Sequence, residues 1–127
     1  MFFKNSSSKT KKQKSYLFGI FAEYYVIFLF FFKGYILLKH RYKTKMGEID
    51  LIFKNKDNLV AVEVKARKDI NTNIGEVVSF KQYKRIMNSL KLFLNKNIEY
   101  SNFNIRIDVV LVKGLFSIEH LKNVWTE

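Results

Sequence analysis

Three side chains in this sequence have the types and spacing to do hydrolytic chemistry: Asp50, Glu63 and Lys65. Asp50 lies in Gly47-Glu48-Ile49-Asp50-Leu51-Ile52, and the other two lie in Val62-Glu63-Val64-Lys65-Ala66-Arg67. Cleavage of a phosphodiester needs an activated water and neutralisation of developing negative charge. Two carboxylates can hold a divalent cation that polarises a phosphoryl oxygen and lowers the pKa of bound water. The carbonyl of Val64 can add a ligand. A lysine beside the cation can orient the water or stabilise the transition state. The competing reading is a cross-strand ion pair on a solvated face, which contributes only about 0–1 kcal/mol.

The elements around the trio must bring it together. Glu48–Phe53 alternates in polarity and reads as a strand, as does the β-branched run Leu59–Ala66, with Asn55–Asn58 as the hairpin loop between them. Residues two apart on a strand share a face, so Glu48 pairs with Asp50 and Glu63 with Lys65. A matched hairpin register would converge Asp50, Glu63 and Lys65. A preceding strand is expected from Tyr35 to Leu38, fading into the basic stretch Lys39–Lys45. After a polar loop ending at Gly75, an amphipathic helix is expected from Glu76 to Lys96, with Val78, Tyr83, Ile86, Met87, Leu90, Phe93 and Leu94 on its apolar stripe. Strands at Ile105–Val112 and Phe116–Leu121 complete a mixed α/β sandwich around a central sheet.

At 127 residues the chain suits one domain, read as a basic disordered tail over 1–15 followed by a single domain over 16–127. It has no cysteine, and its two histidines, His40 and His120, lie far apart. Disulfides and thiolate metal sites are therefore excluded, a histidine-rich zinc site is not expected, and a metal held by oxygen points to Mg²⁺ or Mn²⁺. Net charge is +12, and 18 basic residues against 11 acidic remain after the first 15 positions are set aside. Such a surface suits a polyanion, either nucleic acid or an anionic membrane.

Tyr16–Phe32 is almost wholly apolar, with nine aromatics and the single charge Glu23. Its 17 residues sit at the lower limit for crossing a bilayer. A central acid there costs roughly 2.5–3.5 kcal/mol on insertion scales. No small-residue cleavage site precedes Lys33-Gly34. The run is read as a buried first helix stopped by Gly34, with contact at a membrane interface as the alternative.

The paired motifs around Asp50 and Glu63 resemble the YraN family of uncharacterised bacterial proteins. Gly34-Tyr35, Gly75, Lys81 and Arg106-Ile107-Asp108-Val109-Val110 extend the likeness, which runs from about Gly19 to the C-terminus. Ile107 replaces the family's aromatic, and Glu48-Ile49-Asp50 stands where the fold class has its eponymous proline. The resemblance implies a restriction-endonuclease-like central mixed sheet flanked by helices, of the PD-(D/E)xK class and similar to archaeal Holliday-junction resolvases. It implies metal ligation by Asp50 and Glu63, a catalytic Lys65, and Glu23 approaching the same site from the first helix. The function expected is that of a Mg²⁺-dependent endonuclease in the bacterial cytoplasm, acting on nucleic acid, with DNA ahead of RNA. A branched substrate and a homodimer follow by fold analogy alone. A non-catalytic nucleic-acid-binding module and a membrane-associated protein using residues 16–32 are the alternatives.

The remaining residues divide between function and surface. Arg67 continues the face of Glu63 and Lys65 and reads as a phosphate contact or plain surface. Lys81, Lys84 and Arg85 read as a track for a nucleic-acid backbone or a solvated helix face. Glu48 is a supporting acid or a partner for a nearby lysine. Asp108 is expected to be structural, paired with Arg106 or capping a loop. Tyr83 and Trp125 are expected to pack. His40 and His120 have no partner at metal-ligand spacing.

Overall fold

The computed structural model describes residues 10–67 and 78–124. Gly75 and Trp125 lie outside them, as do residues 1–9 of the expected tail. The elements are α1 (Lys11–Phe32), β1 (Ile36–Thr44), β2 (Gly47–Asn55), β3 (Asn58–Ala66), α2 (Phe80–Lys96), a 3₁₀ turn (Ile98–Tyr100), β4 (Asn104–Gly114) and β5 (Ser117–Leu121). The five strands form one sheet in sequence order. Neighbours are antiparallel except β3 and β4, which run parallel because α2 carries the chain back between them. This is the expected restriction-endonuclease-like α/β architecture, a mixed sheet flanked by two helices.

Each face of the sheet is covered by one helix. Ala22, Val26 and Phe30 of α1 pack with Tyr35, Leu51, Phe53, Val60, Val62, Val110 and Val112. On the opposite face Val78, Tyr83, Ile86, Leu90 and Phe93 pack with Ile49, Ile52, Leu59, Ala61, Ile107, Val109 and Leu111. The stripe expected on α2 is thus the one buried, with Met87 and Leu94 at its margin. Ser79 caps α2, its side chain accepting from the Gln82 amide. Residues 76–79, expected in this helix, are not helical where described: 76 and 77 lie outside the described residues, and the cap sets the start at Phe80.

Three boundaries differ from the sequence reading. Residues 11–15 are helical, so α1 begins inside the expected tail. Thr10 and Gln13 form a capping box, each side chain satisfying the other's backbone amide. β1 continues through the basic stretch to Thr44, because backbone pairing to β2 holds it while Lys39 and Lys43 point outward. Lysines on this edge strand also discourage pairing with another chain. Finally, α1 is buried along one face only: Tyr24, Phe28, Phe31 and Phe32 are exposed.

Gly47 opens β2 with φ +151°, and a Cβ there would meet Arg85 Cβ at 3.1 Å. Its bareness lets α2 settle on the β1–β2 turn, where Thr44 Oγ1 meets Ser89 Oγ at 2.9 Å.

Asp108 is fully buried on β4. Arg106 donates to both of its oxygens at 2.9 Å, His120 Nε2 approaches at 2.7 Å, and the Asn123 amide donates at 2.9 Å. Arg106 also donates to the Tyr35 hydroxyl at 2.6 Å. Burial works against the charge, yet these bonds hold the Asp108 carboxyl below its ordinary value. Asp108 is thus structural, pairing with Arg106 and capping the chain after β5, and His120 proves to be its partner. Asp108→Asn should remove about 3 kcal/mol or more, because it leaves the Arg106 cation without its counter-charge. The midpoint of urea unfolding, at unchanged slope, measures that loss.

Candidate active site

The β2–β3 ladder runs from Asn55↔Asn58 to Leu51↔Val62 and stops. The next rung would set Asp50 opposite Glu63. Instead the Asp50 side chain takes the place of a backbone partner: its Oδ2 accepts from the Val64 amide at 2.9 Å. β3 meanwhile stays paired to β4 through Glu63, Val64 and Lys65. The strands therefore part at the very positions that carry the chemistry, and Asp50 satisfies an amide the opening leaves exposed.

The same point disturbs the β1–β2 hairpin. His40 pairs with Leu51 and Tyr42 with Ile49, which brackets Arg41 against Asp50. Arg41 has a left-handed φ of 54°. Leu51 packs under α1, whereas Ile49 packs under α2. Strict alternation therefore fails at Asp50, and Glu48 does not join it. Glu48 is exposed and lines a separate cavity of about 330 Å³ with Gly47, Ser79, Lys81, Gln82 and Arg85.

Glu63 is buried, with 9% of its surface exposed. Lys65 Nζ lies 3.5 Å from Glu63 Oε1. Burial pushes the Glu63 carboxyl up to about 8, the Asp50 charge adds to this, and Lys65 only partly offsets it. Asp50 is raised too, first by burial, with the Glu23 charge adding and the Val64 amide opposing. Burial thus makes it costly for both carboxyls to ionise together, and Lys65 relieves that cost only in part. Asp50, Glu63 and Lys65 are thus brought together.

Glu23 faces the sheet from α1, close enough for its charge to bear on Asp50. Its carboxylate is engaged: Oε1 takes His40 Nε2 at 2.8 Å and Arg41 Nε at 3.0 Å. The Arg41 guanidinium is raised above its ordinary value, by the hydrogen bond to Glu23 first and by Tyr16 second. Sequence reasoning passed over both partners. The signal that hides them is the positive φ at Arg41, which lets two consecutive strand residues reach one carboxylate.

The basic residues are less concentrated. Arg67 is exposed, and its amide extends the β3–β4 ladder to Val112 O. Lys81 and Arg85 share the Glu48 cavity, while Lys84 lies over the Phe80 ring at 5.7 Å. No group of three metal-ligating side chains occurs among the described residues. The donor set for a cation is therefore two carboxylates and the local backbone. That fits Mg²⁺ or Mn²⁺, which keep several waters and need few protein ligands.

The model for the uncharacterised protein family UPF0102 matches residues 22–112 of this chain. The chain belongs to this family, the YraN family whose likeness the paired motifs carry. A UPF0102 protein of Chelativorans sp. is 34% identical over 120 residues, covering 94% of this chain and 96% of the relative. One from Agrobacterium fabrum is 36% identical over 102 residues, covering 80% and 83%. One from Fervidobacterium nodosum is 38% identical over 94 residues, covering 72% and 69%. The matched region of the family model takes in Glu23, Asp50, Glu63 and Lys65.

The raised Glu63 carboxyl has a measurable consequence. The folded chain holds a proton on Glu63 up to about 8, against 4.5 for the free side chain. The associated stability is complete below about 4.5 and is lost as pH rises through about 8. Asp108, being lowered, acts only on the acid side. In chelator-treated buffer the Tm should fall between these two pH values, and Glu63→Gln should flatten that slope. An unchanged slope in the variant would locate the proton elsewhere.

Proposed function

We propose that the protein is a metal-dependent phosphodiesterase acting on nucleic acid in the bacterial cytoplasm, DNA ahead of RNA. The observation that carries this reading is the pairing of buried Glu63 with half-buried Asp50, set beside Lys65 where β2 leaves β3. Asp108 is completed by a guanidinium, an imidazole and an amide, whereas Glu63 has only a partial offset from Lys65 against burial and the Asp50 charge, which favours a bound cation here. Asp50 and Glu63 would hold Mg²⁺ or Mn²⁺, which supplies Lewis acidity toward the phosphate and toward water. Lys65 sits within reach of the same opening, where its ammonium can stabilise the negative charge that builds on the phosphoryl oxygens. Arg67, exposed two residues beyond Lys65, and Lys81, Lys84 and Arg85 on α2 would supply cations for the flanking phosphates. Two symmetric cuts in a branched substrate would require two copies of the site.

Engagement of Glu23 by His40 and Arg41 favours a second reading, a binding module without turnover, since the acid that the resemblance brings to the site is tied to other side chains.

A cleavage screen over linear, nicked and branched DNA and structured RNA with Mg²⁺ or Mn²⁺ separates the two. Lys65→Ala and Asp50→Asn should each lower the rate by about 10²–10³-fold while nucleic-acid binding persists. Equal behaviour of wild type and both variants on every substrate would leave the binding module as the function.

A further inference from the structure

The largest feature unused by the proposed chemistry is the outer face of α1. Leu17, Phe21, Tyr24, Phe28 and Phe31 form a continuous exposed stripe along the helix, and Phe28 is 60% exposed. The helix is long and apolar enough to cross a bilayer by length and composition, yet only 17% of its most apolar stretch is buried in the protein. A helix apolar all round finds a second apolar surface for the face its own core leaves bare. The patch extends beyond the helix. The Tyr25 hydroxyl donates to the Leu115 carbonyl, which holds the β4–β5 turn against α1, and that turn presents Phe116 at 96% exposure.

We propose that this face docks the protein on an anionic lipid bilayer, with α1 lying in the interface. Four observations select lipid. The single acid of the helix, Glu23, is turned inward and held by His40 and Arg41, so the outer face carries no negative charge. Lys11, Lys12 and Lys14 crowd one end of the stripe and Lys33 lies at the other, all exposed, the arrangement that pairs an apolar band with anionic headgroups. The residues before Thr10 add Lys4 and Lys9 and no acid. Phe116 protrudes from a separate element, as suits contact with a broad surface.

Crossing the bilayer is a different matter. Ala22, Val26 and Phe30 seal one face of the sheet, and a spanning helix would strip that cover.

Other occupants fit less well. A second copy would bring together two chains of net charge +12, and a parallel helix seam would also stack their lysine clusters. A nucleic-acid strand would need cations along its path, but the helix has none between Lys14 and Phe32. This inference is independent of whether Asp50 and Glu63 support catalysis.

The test is co-flotation of the full chain with phosphatidylcholine vesicles, with and without about a third phosphatidylglycerol. The wild type should float with the anionic vesicles and release at about 0.5 M salt in part, because burial of rings resists screening. Phe28→Ser and Phe116→Ser should each weaken flotation about tenfold, at unchanged Tm for the turn variant. Replacing Lys11, Lys12 and Lys14 by Gln should weaken the preference for anionic lipid, and an unchanged preference would overturn the proposal. Absence of flotation at low salt overturns the proposal. So does flotation unaffected by Phe116→Ser, or a wild-type dimer that Phe28→Ser converts to monomer without any vesicle binding. Loss of oligonucleotide binding in Phe28→Ser, with vesicles ignored, would assign the face to nucleic acid and equally overturn it.

Discussion

The acid pair Asp50 and Glu63 is held together by the backbone pairing of the central strands. Glu63 is fixed by the parallel pairing of β3 with β4, at the centre of the sheet. Asp50 is fixed by the Val64 amide, which it must satisfy because β2 has already left the ladder. The hairpin register, the left-handed Arg41 and the change of face between Ile49 and Leu51 all serve this one opening.

The same sheet holds a contrasting case. Asp108 is more deeply buried than Glu63 but has a guanidinium, an imidazole and an amide around it, and its carboxyl is pulled down. Glu63 has a lysine at 3.5 Å and an opposing acid, and its carboxyl is pushed up. Burial is common to both, so burial does not separate scaffold from site. What separates them is whether the surroundings complete the charge. Around Asp108 they do; around Glu63, Lys65 offsets burial and the Asp50 charge only in part.

Much of this was legible in the sequence because it rests on local pattern. Alternation marked β2 and the β-branched run marked β3, and helical spacing picked the buried stripe of α2. The motifs at Asp50 and Glu63 identified the family and the fold. The rest depended on contacts that pattern does not encode. The capping box at Thr10 and Gln13 was visible as a spacing but lay within a lysine-rich stretch that reads as tail. The ties from His40 and Arg41 to Glu23 arise from a single reversed φ. The link between His120 and Asp108 is a cross-strand meeting set by the turn at residues 115 and 116. The outer face of α1 was hidden because an apolar run looks the same whether one side of it is covered or both.

The central claim is that the Asp50–Glu63 pair is a divalent-cation site, and metal-linked stability tests it without reference to any substrate. At pH 8, increasing Mg²⁺ or Mn²⁺ should raise the Tm of the wild type in a saturable manner, since a cation bound only by the folded chain stabilises it by mass action. The rise should be lost in Asp50→Asn and in Glu63→Gln, and should weaken as pH falls and the proton returns to Glu63. A wild-type Tm that does not respond to either cation, or a response that survives both substitutions, would contradict the assignment.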